Sequence, residues 1–168
     1  MKYLLQLTLI LFMGYAHGEE NMGLVNVEPF VVHGIEVSTT NEIEMKSGKS
    51  KIPSLWESFY KDHYGKALNG NPVYGIYTNY ESDVNGQYSV IAGVKTSEDD
   101  EAYKKIEIKS GKYLVFKKEG GSPEAVVAAW QEVWNYFSNT DSPYKRAYTA
   151  DFEVYEGPNN ISVYIAVK

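Results

Sequence analysis

An internal duplication is the feature of this 168-residue sequence that most constrains its fold. Residues 56–60 (Trp-Glu-Ser-Phe-Tyr) match residues 130–134 (Trp-Gln-Glu-Val-Trp), and a Tyr-Glu pair follows the two leading tryptophans at distances of 24 and 25 residues. Residues 91–95 likewise resemble the last four residues of the chain. Because residue identity and spacing agree, we interpret the two halves as copies of one structural unit.

Each copy has the pattern of a strand, a helix and two further strands. Apolar residues recur at helical spacing over residues 52–64, with Pro53 in the first turn, and again over residues 126–137. The sequence therefore predicts an α+β domain of duplicated β-α-β-β units, in which two helices cover one face of an antiparallel sheet and leave a central ligand groove. β-Branched and aromatic residues predict strands at 30–37, 73–80, 87–95, 104–109, 112–117, 148–155 and 161–167.

Two connecting regions complete this prediction. Residues 104–109 and 112–117 alternate charged and apolar side chains around Ser110 and Gly111, which predicts a pair of strands with one solvated face. Residues 38–50 are interpreted as a polar connection between the first strand and the first helix.

The first 18 residues have the layout of a secretory signal peptide. Lys2 precedes an apolar run over residues 3–13, and a small-residue cleavage pattern ends at Gly18. This interpretation divides the chain into a signal peptide at 1–18, a linker at 19–28 and one domain at 29–168. It predicts a periplasmic or secreted protein without stable membrane insertion after processing, since the apolar run is too short to span a bilayer. Translation from Met22 is the alternative and would place the protein in the cytoplasm.

Charge and composition exclude several classes of function. Sixteen Lys and Arg against 22 Asp and Glu give a net charge of −6, which disfavours direct nucleic-acid binding and favours cationic partners. The absence of cysteine excludes disulfides and thiolate chemistry. The sequence has neither a histidine-rich metal motif nor a dinucleotide-binding glycine pattern, so no metal and no other cofactor is predicted.

One predicted strand combines carboxylates with large apolar residues. In residues 151–156 (Asp-Phe-Glu-Val-Tyr-Glu), Asp151, Glu153 and Tyr155 share one face, and the two residues between them share the other. On this pattern alone, Glu153 is more simply a solvated strand residue than a functional one. The matching strand of the first copy is expected to present Tyr74, Ile76, Thr78 and Tyr80 on the same face, with Thr78 in the position of Glu153.

Six spaced segments together resemble a known family. They are residues 56–60, 73–81, 110–113, 134–137, 151–155 and 163–167. These segments are similar to the effector-binding domain of AraC-type and MerR-type multidrug regulators, which also occurs alone in GyrI-like proteins and in integron-cassette-encoded effector-binding proteins. The chain resembles this last group most, over about residues 28–168.

The resemblance implies the duplicated β-α-β-β fold and an aromatic groove whose buried glutamate attracts lipophilic cations. Glu153 occupies the place of that glutamate. The chain departs from the family at Ser162, where relatives often carry an acidic residue. The implied partners are therefore small lipophilic cations, and no protein partner is identified. The expected ligand-binding residues are Glu153, Tyr155, Tyr80, Tyr74, Tyr164, Trp56 and Trp130.

Two other functions are consistent with the same resemblance. Some GyrI-like relatives hydrolyse strained electrophilic small molecules, and Glu153 would then activate a water for the reaction. Stand-alone relatives also act on another protein, so an interaction or inhibitor module is the third interpretation. Binding without turnover is the expectation for this chain, and no catalytic residue is assigned.

Overall fold

The computed structural model describes residues 22–46, 48–67, 72–95 and 101–168, so the predicted signal peptide at 1–18 lies outside the described residues. These residues form one antiparallel sheet of eight strands with helices on one face. The strands are β1 (Met22–Val27), β2 (Phe30–Thr39), β3 (Val73–Thr78), β4 (Tyr88–Lys95), β5 (Lys104–Ile108), β6 (Gly111–Glu119), β7 (Ala150–Tyr155) and β8 (Asn160–Ala166).

The order of the strands reflects the duplication. It runs β1-β6-β8-β7-β3-β4-β2-β5, so every strand of one half has a counterpart at the same distance from the central β7–β3 pair. The predicted fold class is confirmed, with one addition. Each half begins with an extra strand, β1 or β5, which forms an outer edge of the sheet.

The helices of both halves pack on the same face of the sheet, as predicted. Leu55 and Phe59 are buried against β3 and β4, and Ala129 and Val133 are buried against β6 and β8. These contacts follow the helical spacing of the apolar residues. Within the described residues, no helix is long and apolar enough to cross a membrane. The helical elements are α1 (Asn41–Glu44), α2 (Ile52–Ser58), a π-helical turn (Phe59–His63), α3 (Tyr64–Ala67) and α4 (Glu124–Ser138).

The opposite face of the sheet carries its own aromatic core. Phe152 of β7 lies at its centre, where it contacts the rings of Phe30, Tyr74 and Tyr113. Tyr164 stacks on Phe152 with ring centroids 4.5 Å apart. The sheet must curve around this core, because only two residues join β1 to β2 and β5 to β6, although the joined strands lie in opposite halves of the sheet.

The structure corrects two of the sequence predictions. Residues 104–109 and 112–117 do form strands, but β5 pairs with β2 while β6 pairs with β1 and β8, so the predicted strand pair is wrong. Side-chain alternation identifies a strand without identifying its partner. In addition, residues 22–27 of the predicted linker form β1, which pairs with β6 along its whole length.

Replacement of Phe152 by alanine is expected to destabilise the protein by about 3–5 kcal/mol, because a buried aromatic ring is removed from the core opposite the helices. Urea denaturation measures the free energy of unfolding. Val127→Ala is the control, since Val127 is exposed on α4 and its truncation is expected to cost less than about 0.5 kcal/mol. Similar losses in both variants would contradict the placement of Phe152.

Candidate functional site

Glu153 lies on the central strand β7 and is completely buried, with 0% of its surface exposed. Three ring-bearing side chains donate hydrogen bonds to its carboxylate. The Tyr77 hydroxyl and the Trp130 indole N–H reach Oε1 at 2.7 and 2.6 Å, and the Tyr155 hydroxyl reaches Oε2 at 2.6 Å. All three donors are neutral. The interpretation of Glu153 as a solvated strand residue is therefore wrong.

Burial raises the pKa of Glu153, while the hydrogen bonds from Trp130, Tyr155 and Tyr77 act in the opposite direction. The same burial, together with the nearby Glu153 charge, raises the pKa of Tyr77 and Tyr155 well above the ordinary phenol value. Both tyrosines thus remain protonated and keep their role as donors. Within the described ranges, the charged form of Glu153 is held by dipoles and not by a counter-ion.

A glycine provides the space that the carboxylate occupies. Gly75 of β3 is the cross-strand partner of Glu153. A Cβ atom at position 75 would lie 2.6 Å from Glu153 Oε2 and 3.0 Å from Cζ2 of Trp56. Since non-bonded carbon and oxygen atoms do not approach so closely, any larger residue would displace the carboxylate or the indole ring.

Asp151 is a second buried carboxylate, two residues before Glu153 on the same face of β7. It forms an ion pair with Arg146, and it accepts hydrogen bonds from the Tyr80 hydroxyl at 2.7 Å and the Ala166 backbone N–H at 2.8 Å. Its charge is therefore balanced by a cation within the protein, whereas no ion pair to Glu153 is present among the described residues.

A cavity of about 250 Å³ lies next to the buried carboxylates. Tyr77, Tyr80 and Trp130 contribute to its wall, together with residues of α1, α2 and the exposed side of α4. Glu153 is not one of the lining residues. Tyr77 and Trp130 do line the cavity, and both donate to Oε1 of Glu153. These two side chains thus connect the cavity with the buried charge.

Glu44, at the end of α1, supplies a carboxylate to the cavity wall itself. It accepts hydrogen bonds from the Ser50 and Thr39 hydroxyls and from the backbone N–H groups of Lys51 and Ile52. Burial acts to raise the pKa of Glu44, but these hydrogen bonds outweigh burial and lower it, so the group is ionised at neutral pH. Residues 38–50, predicted as a polar connection, therefore include one side of the cavity.

The predicted ligand-binding residues lie on both faces of the sheet. Trp56 contacts Tyr155 edge-on, with ring centroids 5.2 Å apart, on the helix-covered face. Tyr74 and Tyr164 lie on the other face, in the core around Phe152, and they are not among the residues that line the cavity. The residues brought together on the helix-covered face are Glu153, Tyr155, Tyr80, Trp56 and Trp130.

The register between β3 and β7 explains this difference. Gly75 faces Glu153 and Tyr77 faces Asp151, so the residues between them point to the opposite side of the sheet. Alternation from Tyr74 would place Tyr80 on that opposite side as well. Instead, Asn79 adopts a positive φ of 53° directly after the strand, and Tyr80 reaches Asp151.

Tyr77, Arg146 and Glu44 are site residues that the sequence predictions missed. Tyr77 could have been predicted from the sequence, because it follows Gly75 by two residues. A glycine inside a strand often marks a place where another group approaches the backbone closely. Arg146 is the only arginine in the sequence, but nothing in its local pattern indicates a partner. Glu44 lies in a segment without periodicity.

Gly75→Ala is expected to destabilise the protein by about 1–3 kcal/mol, because the new methyl group overlaps the Glu153 carboxylate. Gly23→Ala is the matched control, since a Cβ atom at Gly23, in the outer strand β1, meets nothing within 4 Å. The free energy of unfolding in urea measures both changes. Equal stability of the two variants would show that the carboxylate does not require the space at Gly75.

Comparisons with known proteins agree with this architecture. An integron cassette protein from Vibrio cholerae, VCH_CASS2, has a crystal structure with a TM-score of 0.82 and 42% identity, covering 89% of this chain and 97% of that chain. YobU of Bacillus subtilis (strain 168) is 29% identical over 149 residues, covering 80% of this chain and 90% of YobU. SAV2435, solved with tetraphenylphosphonium bound, has the same fold at 22% identity, with a TM-score of 0.68 over 88% of this chain and 93% of that chain.

The family match extends over nearly all of the described chain. Residues 23–167 match the family Cass2, whose description is integron-associated effector binding protein. The resemblance found in the six spaced segments is therefore confirmed. This chain belongs to the family of integron-associated effector-binding proteins.

Proposed function

We propose that this protein is a stand-alone receptor that captures lipophilic cations in the aromatic cavity, with Glu153 as the counter-charge. One observation carries the proposal: a fully buried carboxylate on the central strand accepts hydrogen bonds from three neutral donors, and the described part of the chain offers it no ion pair. Asp151, two residues away, forms an ion pair with Arg146. Its charge is therefore already balanced and attracts a second cation less strongly.

The energetic argument starts from the cost of burial. An ionised carboxylate that leaves water loses its hydration, and three neutral hydrogen bonds restore only part of it. The pKa of Glu153 is raised because the hydrogen bonds do not fully replace the lost hydration. A cation that enters the neighbouring cavity adds Coulomb attraction in a region of low dielectric constant, where it is weakly screened.

Tyr77 and Trp130 connect the negative charge of Glu153 with the cavity that they line. Each of them donates its polar hydrogen to Glu153, which increases the electron density of the ring. A cation against such a ring gains about 0.5–2 kcal/mol from cation–π attraction when water is excluded. Flat rings also accept ligands of different shapes, which supports a broad specificity for apolar cations.

The fold comparison supports the same class of ligand. SAV2435, which shares this fold, is known in complex with tetraphenylphosphonium, a lipophilic cation. The hydrolase alternative is less well supported, because both carboxylate oxygens of Glu153 already accept hydrogen bonds and the residue does not line the cavity. A general base must reach the water that it activates.

The proposal predicts that tetraphenylphosphonium binds more tightly than tetraphenylborate, which has nearly the same shape and the opposite charge. Quenching of tryptophan fluorescence follows both titrations, since Trp130 and Trp134 line the cavity. Glu153→Gln is expected to weaken binding of the cation about tenfold, which corresponds to about 1.4 kcal/mol. Glu156→Gln, which removes an exposed carboxylate three residues along the chain, is the matched control and should change the affinity less than twofold. Equal binding of the cation and the anion would refute the proposal.

The affinity for the cation is also expected to increase as the pH rises above 4.5, the ordinary value for a glutamate, and through the raised pKa of Glu153. The ionised carboxylate attracts the cation, and protonation at lower pH removes that attraction. Glu44 remains ionised over this range because its pKa is lowered. The Glu153→Gln variant should therefore show a flat profile in the same titration, and a slope equal to that of the wild type would assign the effect to another group.

A further inference from the structure

Arg146 contributes to the wall of the cavity, and its guanidinium is not fully used by the protein. The side chain is only 8% exposed. Its hydrogen bonds are made by Nη2, to Asp151 and to the Tyr80 hydroxyl at 3.3 Å. Nε is buried and has no acceptor within the described ranges. A guanidinium has five N–H donors, so donors remain for an additional acceptor.

The guanidinium is held in a defined orientation. The Tyr148 ring lies 4.6 Å and the Tyr80 ring 5.8 Å from its Cζ atom, and the Arg146 backbone pairs with Val167. Tyr148 has a φ of 53°, a left-handed conformation that is rare for a bulky residue. Strained backbone of this kind is concentrated at ligand clamps, where the surrounding structure maintains it.

The charges around Arg146 determine which acceptor is favoured. The guanidinium is already neutralised by Asp151, and the ionised Glu44 lines the same cavity. An additional anion would thus gain little attraction from Arg146 and would be repelled by Glu44. A neutral oxygen, as in a ketone, ester or amide, can accept a hydrogen bond from Arg146 at the cavity wall without this penalty.

We propose that Arg146 forms a subsite that selects apolar ligands carrying a neutral carbonyl oxygen. The subsite rests on the proposed function because both use the same cavity. One ligand would carry both the cationic group and the carbonyl oxygen. Its own contribution does not require a charge on the ligand, so it can be measured separately.

The test uses acetophenone and α-methylstyrene, two neutral molecules of nearly equal shape that differ in a carbonyl oxygen and a methylene group. Because Arg146 is the only arginine in the sequence, its Nε–H signal in a ¹H–¹⁵N spectrum is unambiguous. Acetophenone is expected to shift this signal and to bind at least threefold more tightly than α-methylstyrene. Equal affinities, or equal shifts of the Nε–H signal, would overturn the subsite.

Arg146→Lys keeps the positive charge beside Asp151 but removes the planar donors, so the preference for acetophenone should be lost. If this variant does not fold, the double variant Arg146→Met with Asp151→Asn removes both charges together and avoids an unpaired buried aspartate. A preference that persists in either folded variant would also overturn the subsite.

The two proposals fail in different ways. Binding of tetraphenylphosphonium without any preference for acetophenone would leave the receptor function in place and refute the role of Arg146. A preference for acetophenone without discrimination between tetraphenylphosphonium and tetraphenylborate would support Arg146 and refute the role of Glu153.

Discussion

The carboxylate of Glu153 is buried in the centre of the sheet, no cation pairs with it among the residues that the structure describes, and the surrounding side chains pack around it. Gly75 leaves the space for one oxygen, and Tyr77, Trp130 and Tyr155 direct their polar hydrogens at both oxygens. A buried charge of this kind reduces stability unless every donor is well placed. Buried groups with perturbed pKa values of this kind cluster at functional sites.

The two halves of the chain share a backbone arrangement but differ at the site. Thr78, expected from the sequence to be the counterpart of Glu153, pairs with Ala150 and lies on the opposite side of the sheet from Gly75 and Tyr77. It donates to the Thr149 carbonyl oxygen at 3.3 Å. Only the first half has a helix like α1 between its second strand and its main helix, and this segment brings Glu44 to the cavity. Duplication thus supplies the scaffold, while differences between the copies make the cavity asymmetric in shape and charge.

The carboxylates at the site have three different electrostatic environments. Asp151 is balanced by Arg146, Glu44 is held by hydroxyl and backbone donors at the start of α2, and Glu153 is surrounded by aromatic donors. The three carboxylates differ because their burial and their hydrogen-bond or ion-pair partners differ, and not because of their residue type. We propose that this division gives the cavity one region that attracts positive charge and another in which Arg146, already balanced by Asp151, offers hydrogen-bond donors.

Local sequence patterns were sufficient to predict the duplication, the two main helices, most strands and the alternation that separates Glu153 from Phe152, because periodicity and repeats are properties of neighbouring residues.

Local sequence patterns could not predict which strands pair or which side chains meet across them. The register that sets Gly75 opposite Glu153 places Tyr74 in the other core, and the pairing of Tyr164 with Phe152 places Tyr164 there too. The curvature of the sheet separates β5 from β6. The cavity likewise combines Glu44, Trp130 and Arg146, which are distant in the chain. Only tertiary structure brings such residues together, since packing and register depend on the whole sheet.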